Sequence, residues 1–330
     1  MRFFNADPSS LFFSEDYKIM WFKNLTLFKL TQPFDLSPEA LGEALESKEL
    51  RPCGSLEPFT YGWTPPLGKI GTELVHAGNG CVLVCARKEE RLLPASVVRE
   101  EVEERIAKIE QREARPVRGK EKRRIRDDVT FDLLPRAFTR STDTQAYVSP
   151  SAGWLVVNTA VPKRAEDLLT LLGRSLGSFE VAPLTAEYAP TSTMTYWLSG
   201  RPLPKGFSLQ TDCELRDRAD ETSIVRCQRQ DLSSDEVQGH IHAHKEVHKL
   251  GLGFEDRLSF ILRADLSISR LRFESVDEFD DVDEGDETAR FDANFAFMTT
   301  ELGRLLERLG ETFMGSLESQ PPTRRFAALE

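Results

Sequence analysis

Residues 79–138 read NGCVLVCARKEERLLPASVVREEVEERIAKIEQREARPVRGKEKRRIRDDVTFDLLPRAF, and the change of period inside that stretch decides the fold. Asn79-Gly80 is a hairpin turn signal, and the unbroken apolar run Cys81–Cys85 that follows predicts a strand from the interior of a sheet. Beyond Pro94 the period lengthens: Val98, Val102, Ile106 and Ile109 recur at helical spacing and put one apolar stripe on an otherwise charged helix. A stripe that narrow predicts a helix projecting from the body. Pro116 and Gly119 interrupt it, a second helix is predicted from about Lys120 to Leu134, and Pro135 stops that one. The expectation is a protruding helical hairpin, basic at its turn.

Outward from the hairpin, strands and helices mix. Trp21–Leu30 reads as a strand, and a helix is predicted from a Ser37 cap, with Pro38 in its first position, to about Ser47. A β-hairpin is predicted from Ala146–Val148 and Trp154–Asn158, then a helix from Lys163 to Leu176 closed by Gly177. Ile224–Cys227 reads as a strand. Ser233 with Glu236 forms a capping box, from which a helix is predicted to reach Leu250. Leu258–Leu262 and Ile268–Phe273 form a further hairpin, and the amphipathic stretch Phe291–Phe313 a last helix. The fold class is α+β. Strand, basic turn and helix occur in order twice, in 81–109 and 224–250, which predicts an internal pseudo-repeat.

The 330 residues carry a net charge of −11 and are 40% hydrophobic, enough for sizeable cores. No run of about 18 apolar residues is present, so no spanning helix is predicted. Asp7, Glu15 and Asp16 stand where a secretory peptide needs an apolar core, and the expected location is cytoplasmic. Five cysteines, none in a Cys-x-x-Cys pair, argue against a disulfide framework or zinc ribbon and predict reduced, mostly buried thiols.

Against that acidic total, Arg112, Arg115, Arg118, Lys120, Lys122, Arg123, Arg124 and Arg126 are a concentrated basic run opposed nearby by Glu113 and Glu121. Localised cations on an acidic chain point to an anionic partner. The competing reading is a solvated helix laced by pairs such as Glu101–Arg105 and Glu104–Lys108. Of the carboxylates, Glu274 to Glu287 form an acidic loop expected to be solvated, without the fixed geometry of two-metal catalysis. His240, His244 and His248 share one face of the predicted 233–250 helix, but no His-Glu-x-x-His pattern accompanies them, and a polar or nucleic-acid-facing surface is the preferred reading. Gly251-x-Gly253 precedes no Gly-Lys-Ser/Thr, and no Gly-x-Ser-x-Gly occurs. No catalytic constellation and no cofactor site is read.

Several ordered runs resemble the RdgC family of bacterial recombination-associated proteins. They are Met20-Trp21-Phe22-Lys23-Asn24, Pro52-Cys53-Gly54-Ser55, Gly62-Trp63 with Pro65-Pro66 and Gly68, Cys85-Ala86-Arg87-Lys88-Glu89-Glu90 with Leu93-Pro94, and Leu133-Leu134-Pro135-Arg136-Ala137-Phe138. Lys163 to Asp167, Ser175 to Ser178, Gln230-Asp231-Leu232 and Arg290 to Ala293 continue the order. The likeness spans about residues 20–315. It divides the chain into an extension at 1–19, a first α+β portion at 20–93, a basic tip at 94–140, a second α+β portion at 141–273, an acidic loop at 274–290 and a C-terminal helix and tail at 291–330.

The resemblance implies a curved monomer, a non-catalytic ring-shaped homodimer that encircles double-stranded DNA with little sequence preference, and inhibition of RecA-dependent recombination in the nucleoid. It implies DNA-contacting roles for Arg115, Arg229 and Gln230, to which Lys88, Arg118, Lys120, Lys122, Arg123 and Arg136 are added, and a ring-closing role at the tip for Phe138. Pro116 and Gly119 depart from the family's tip pattern. The alternatives are a metal-dependent DNA-processing enzyme and a protein-interaction scaffold with a basic docking tip.

Overall fold

The computed structural model describes residues 21–220, 222–274 and 287–314, with the backbone of 324–325. The predicted 1–19 extension and most of the acidic loop lie outside these residues. The first sheet is built from β1 (Thr26–Leu30), β2 (Phe59–Thr64), β3 (Val75–Gly78), β4 (Cys81–Leu92), β5 (Phe138–Ser149), β6 (Trp154–Val157) and β7 (Glu180–Pro183), with β13 (Arg324–Arg325) on its edge. Its order is β13-β7-β1-β6-β5-β4-β2, with β3 also on β4. Asn79 and Gly80 take φ of 50° and 68°, the left-handed backbone that a two-residue turn between β3 and β4 requires.

Alternation along β4 sends its side chains into two different cores. Val82, Val84 and Ala86 pack with Trp63 against α1 (Pro38–Glu46) and α4 (Pro162–Leu176). Cys81 and Leu83, with Tyr147 and Trp154 of neighbouring strands, face the opposite core. Helix α1 starts as predicted: the Ser37 hydroxyl accepts from Ala40 N at 3.2 Å, with Pro38 in the first turn. Strand β4 continues beyond the apolar run and stays paired with β5 from Val82 opposite Val148 to Leu92 opposite Phe138. This long ribbon leads out to α2 (Ala95–Glu113) and α3 (Gly119–Leu133), the predicted hairpin. The hairpin has its own small core of Val98, Val102, Val117, Ile125 and Val129, separate from the other two.

The second sheet comprises β8 (Phe207–Asp217), β9 (Ile224–Cys227), β10 (Lys245–Phe254), β11 (Leu258–Arg263) and β12 (Ile268–Phe273), in the order β12-β11-β10-β8-β9. Its inner face, including Leu215, Leu252 and Leu262, packs against α5 (Pro190–Leu198), α6 (Asp235–His242) and α7 (Glu287–Phe313). Each such fully buried leucine contributes about 1.5–3 kcal/mol of transfer free energy. Paired hydrogen bonds between Leu25 and Ile268, at 2.8 and 2.9 Å, tie the strand leading into β1 to the edge of this sheet.

Four expectations are corrected. The helix predicted to reach Leu250 is α6, which stops at His242; His244 takes φ 62°, and His248 lies on β10, so the histidine face does not exist. Pairing of β10 between β8 and β11 overrode the helical spacing, because it buries Val247, Leu250, Leu252 and Phe254. Ser234, not Ser233, is the N-cap residue of α6, while the Ser233 hydroxyl bonds Asp231 at 2.6 Å. Strand β1 begins at Thr26 rather than Trp21, and α7 at Glu287 rather than Phe291. The two segments read as a repeat differ in build: β4 has 12 residues within a sheet and precedes a 19-residue helix, whereas β9 has 4 at an edge and precedes one of 8.

Candidate nucleic-acid interface

Two cationic surfaces stand out, and they are built differently. On the tip, Ile125 and Val129 turn one side of α3 inward and leave Arg118, Lys120, Lys122, Arg123, Arg124 and Arg126 exposed. Among the described residues none of these six forms an ion pair. Arg112 and Arg115 are the exceptions: Arg112 lies 2.9 Å from Glu113, while the Arg115 guanidinium donates to both oxygens of Glu121, at 2.7 and 2.8 Å, and lies 2.6 Å from Glu113. The charge of Arg115 is offset within the turn, whose geometry it helps to fix. The bond from Val117 N to Glu110 at 2.8 Å and the left-handed Ala114 and Gly119 complete that turn.

At the root of the tip, Lys88 donates to Glu90 at 2.8 Å and sits 4.9 Å over the Phe59 ring. Glu90 also receives Arg140 from the opposing strand. Register places Phe59, Leu92 and Phe138 on the same ribbon face as this ladder of charges. Phe138 is 84% exposed, so it is no core aromatic. Arg136 is exposed in the short turn before β5 and forms no ion pair among the described residues.

The second surface is the outer face of the second sheet. Its inner face is covered by helices, but among the described residues none of the outward side chains joins an apolar core. In register there stand Arg216 of β8, Arg226 of β9, Lys249 of β10, Arg263 of β11 and Arg272 of β12, with Arg270 added from the irregularity between β11 and β12. Gly251 and Gly253 keep the centre low: a Cβ at Gly253 would fall 2.5 Å from Ser208 Oγ. Glu214 is the anchor. It is 3% exposed and receives Lys249 at 2.8 Å, Arg226 at 2.9 Å and Arg216 at 2.9 Å. Burial pushes its carboxyl up, but the hydrogen bonds from Lys249, Arg226 and Arg216 outweigh burial and bring it down to about 2. A cavity of about 140 Å³ opens beside this cluster, with Arg270 on its far side.

Arg229 and Gln230 follow β9 in a loop rather than ending a strand. Arg229 takes φ 53°, Gln230 N donates to Thr211 O at 3.1 Å, and both residues are exposed beside the edge of the cationic sheet. Sequence reading missed Arg216, Arg226, Lys249, Arg263, Arg270 and Arg272. The usable signal was period-two alternation in β8 to β12, masked over 245–254 by the helical reading.

The family model described as "Putative exonuclease, RdgC" matches residues 20–316. The chain belongs to the RdgC family. The recombination-associated protein RdgC of Aeromonas hydrophila is 41% identical over 302 residues, covering 91% of this chain and 100% of that relative. The protein of the same name from Pseudomonas putida strain GB-1 is 44% identical over 299 residues, covering 90% and 98%. That from Colwellia psychrerythraea is 43% identical over 298 residues, covering 89% and 97%. The RdgC match takes in the tip, strands β1 to β12 and α7. Among the described residues, no group of three or more His, Cys, Asp or Glu is placed to hold a metal, and no helix is long and apolar enough to cross a membrane.

Proposed function

We propose that this chain is a non-catalytic, sequence-nonspecific binder of double-stranded DNA that acts as a ring-shaped homodimer in the nucleoid and limits RecA-dependent recombination by occupying its DNA. The observation that carries the reading is the sheet face that no described residue covers, where six cations converge on a chain of net charge −11. Cations in register at strand spacing meet successive phosphates without reading bases, and acidic surface elsewhere repels DNA from other approaches. The exposed tip cations add contacts, and the loop of Arg229 and Gln230 extends the sheet face at its edge. Phe138, Leu92 and Phe59 form an apolar patch around a charge ladder, suited to a second copy of the same tip. Closing the ring there makes release depend on opening an interface as well as on breaking ion pairs.

The test is retention of a short labelled duplex across a salt series, alongside release from linear and circular DNA in Mg²⁺. Steep salt dependence, slower release from the circle and intact DNA are expected. Absence of binding at low salt removes the DNA reading. The second reading, metal-dependent cleavage, rests on the exonuclease wording of the family description, and shortened DNA ends in the same tubes would establish it. Phe138→Ser is expected to leave the Tm unchanged and abolish the difference between circle and linear DNA; an unchanged difference refutes its closing role.

A further inference from the structure

The second sheet contains a thiol pair that none of these roles uses. Cys213 of β8 and Cys227 of β9 are direct cross-strand partners in an antiparallel ladder, and their neighbours Glu214 and Arg226 confirm the register with a 2.9 Å ion pair. Directly opposed residues in such a ladder have Cα atoms about 4.5–5.5 Å apart, inside the range a disulfide spans. Alternation turns both side chains to the same side, where Cys213 joins the core and Cys227 packs against it partly exposed. Both residues also line the 140 Å³ cavity, whose other walls include Arg226, Lys249 and Arg270. Their sulfurs lie on the face opposite Glu214, Arg226 and Lys249, so a small disulfide reaches them at the edge strand, where Cys227 is partly exposed. The remaining thiols offer no such pair by register: Cys81 and Cys85 lie four positions apart on one extended strand, too far to bridge.

We propose that Cys213 and Cys227 form a reversible disulfide with low-molecular-weight disulfides such as oxidised glutathione, fixing the edge strand β9 and the Arg229–Gln230 loop that follows it. Burial pushes the Cys213 thiol up to about 12, so the first attack falls to the more exposed Cys227. Its thiolate bonds to one sulfur of the oxidant and expels one thiolate. The Cys213 sulfur, losing its proton, then bonds to the Cys227 sulfur and expels the second. Two protein thiols give up two electrons and two protons, and the added disulfide becomes two thiols. Strand β9 pairs over only four residues at a sheet edge, so it opens more readily than the strands inside the sheet and is the element a cross-link would hold most effectively.

The effect on DNA rests on the proposed function, whereas the chemistry of the bond does not. The reduced full-length protein is treated with oxidised glutathione, its free thiols are alkylated, and peptides are mapped with and without reductant. A linked pair containing Cys213 and Cys227, lighter by two hydrogen atoms, is expected, and it should disappear in Cys213→Ser and Cys227→Ser but persist in Cys53→Ser. Separately alkylated or separately glutathionylated Cys213 and Cys227 overturn the site. Release from duplex is then timed in both redox states, with the oxidised form expected to be slower by about threefold through pre-organisation of the loop. Linkage with unchanged release removes the coupling to DNA. Absence of duplex binding in either state refutes the DNA reading, while the peptide map alone still decides the disulfide.

Discussion

The helical tip and the open face of the second sheet both present cations, but they rest on different foundations. The tip is one contiguous stretch of chain over a core of five buried residues, and most of its basic side chains stand free. The sheet face is gathered from five strands backed by the largest core, and three of its cations are held by the buried carboxylate of Glu214. Free cations on a small hairpin can follow DNA wherever it lies. Cations held on a sheet offer a fixed, oriented pattern and lose less freedom on binding. On the proposed function, the sheet should therefore supply more of the affinity for DNA, although the tip is the more basic stretch of sequence.

Charge reversal tests that ranking most severely. Arg263, Arg270 and Arg272 stand on the sheet without ion pairs among the described residues, so their joint replacement by Glu changes the face without unpairing Glu214. Duplex affinity is expected to fall about a thousandfold, or about 4 kcal/mol, with a shallower dependence on salt. Lys120→Glu, Lys122→Glu and Arg123→Glu together should cost only about tenfold. Anisotropy titrations at two salt concentrations measure both, and an equal or larger loss from the tip set reverses the comparison.

Glu214 gives the next largest effect, this time on stability. Its carboxyl lies near 2 in the folded protein against an ordinary 4.5, so the ionised form stabilises the fold by about 3 kcal/mol. A depressed folded value means that this contribution is complete above pH 4.5 and lost as pH falls toward 2. Glu214→Gln should thus lower the urea midpoint at pH 7, with the gap to wild type constant above pH 5 and narrowing below 4.5. A gap that widens on acidification contradicts the arrangement. The tip offers no counterpart, since none of its carboxylates is buried.

The same contrast explains what was legible in the sequence. The tip could be read because its determinants are local: the stripe of Val98 and Val102, the breaks at Pro116 and Gly119, and the stop at Pro135 sit within one stretch. The Ser37 cap, the Asn79-Gly80 turn and the Gly177 helix end were equally local and were read correctly. The sheet face was not legible, because Arg216, Arg226, Lys249 and Arg270 become neighbours only through strand order. One error hid the central strand: with His240, His244 and His248 at helical spacing and Gly251 and Gly253 breaking any strand-like run, 245–254 read as helix and loop. Those glycines are there because Ser208 and Gln210 lie across them, a cause invisible without the neighbouring strand. The buried carboxylate was likewise one acidic residue among 54 until its three partners surrounded it.

If the tip is a separate small unit, damage to its core should stay local. Val129 is fully buried there, and Val129→Ala removes about 2 kcal/mol of packing. Hydrogen exchange should quicken throughout α2 and α3 while the strands of both sheets keep their protection. A comparable deletion in the second sheet, Leu262→Ala, is expected to speed exchange across that sheet and α7, because its core is shared with them. Uniform loss of protection in both variants would show that the tip folds with the body.

The smallest effect sharpens the comparison most, since it separates charge content from available charge. Arg115 sits in the basic turn, yet Glu121 and Glu113 already hold its guanidinium. Removing it deletes a cation whose field was largely cancelled and frees two carboxylates, whereas removing Arg123 deletes one that no described carboxylate offsets. Arg123→Ala should reduce the slope of log affinity against log salt by about one contact. Arg115→Ala should leave that slope unchanged and weaken binding mainly by loosening the turn, an effect visible as faster exchange at Val117 and recovered when Glu121→Ala is added only in its electrostatic part. If Arg115→Ala instead flattens the slope as Arg123→Ala does, the ion pairs of the free turn open on DNA, and the tip contributes by rearranging its charges rather than by presenting those already free.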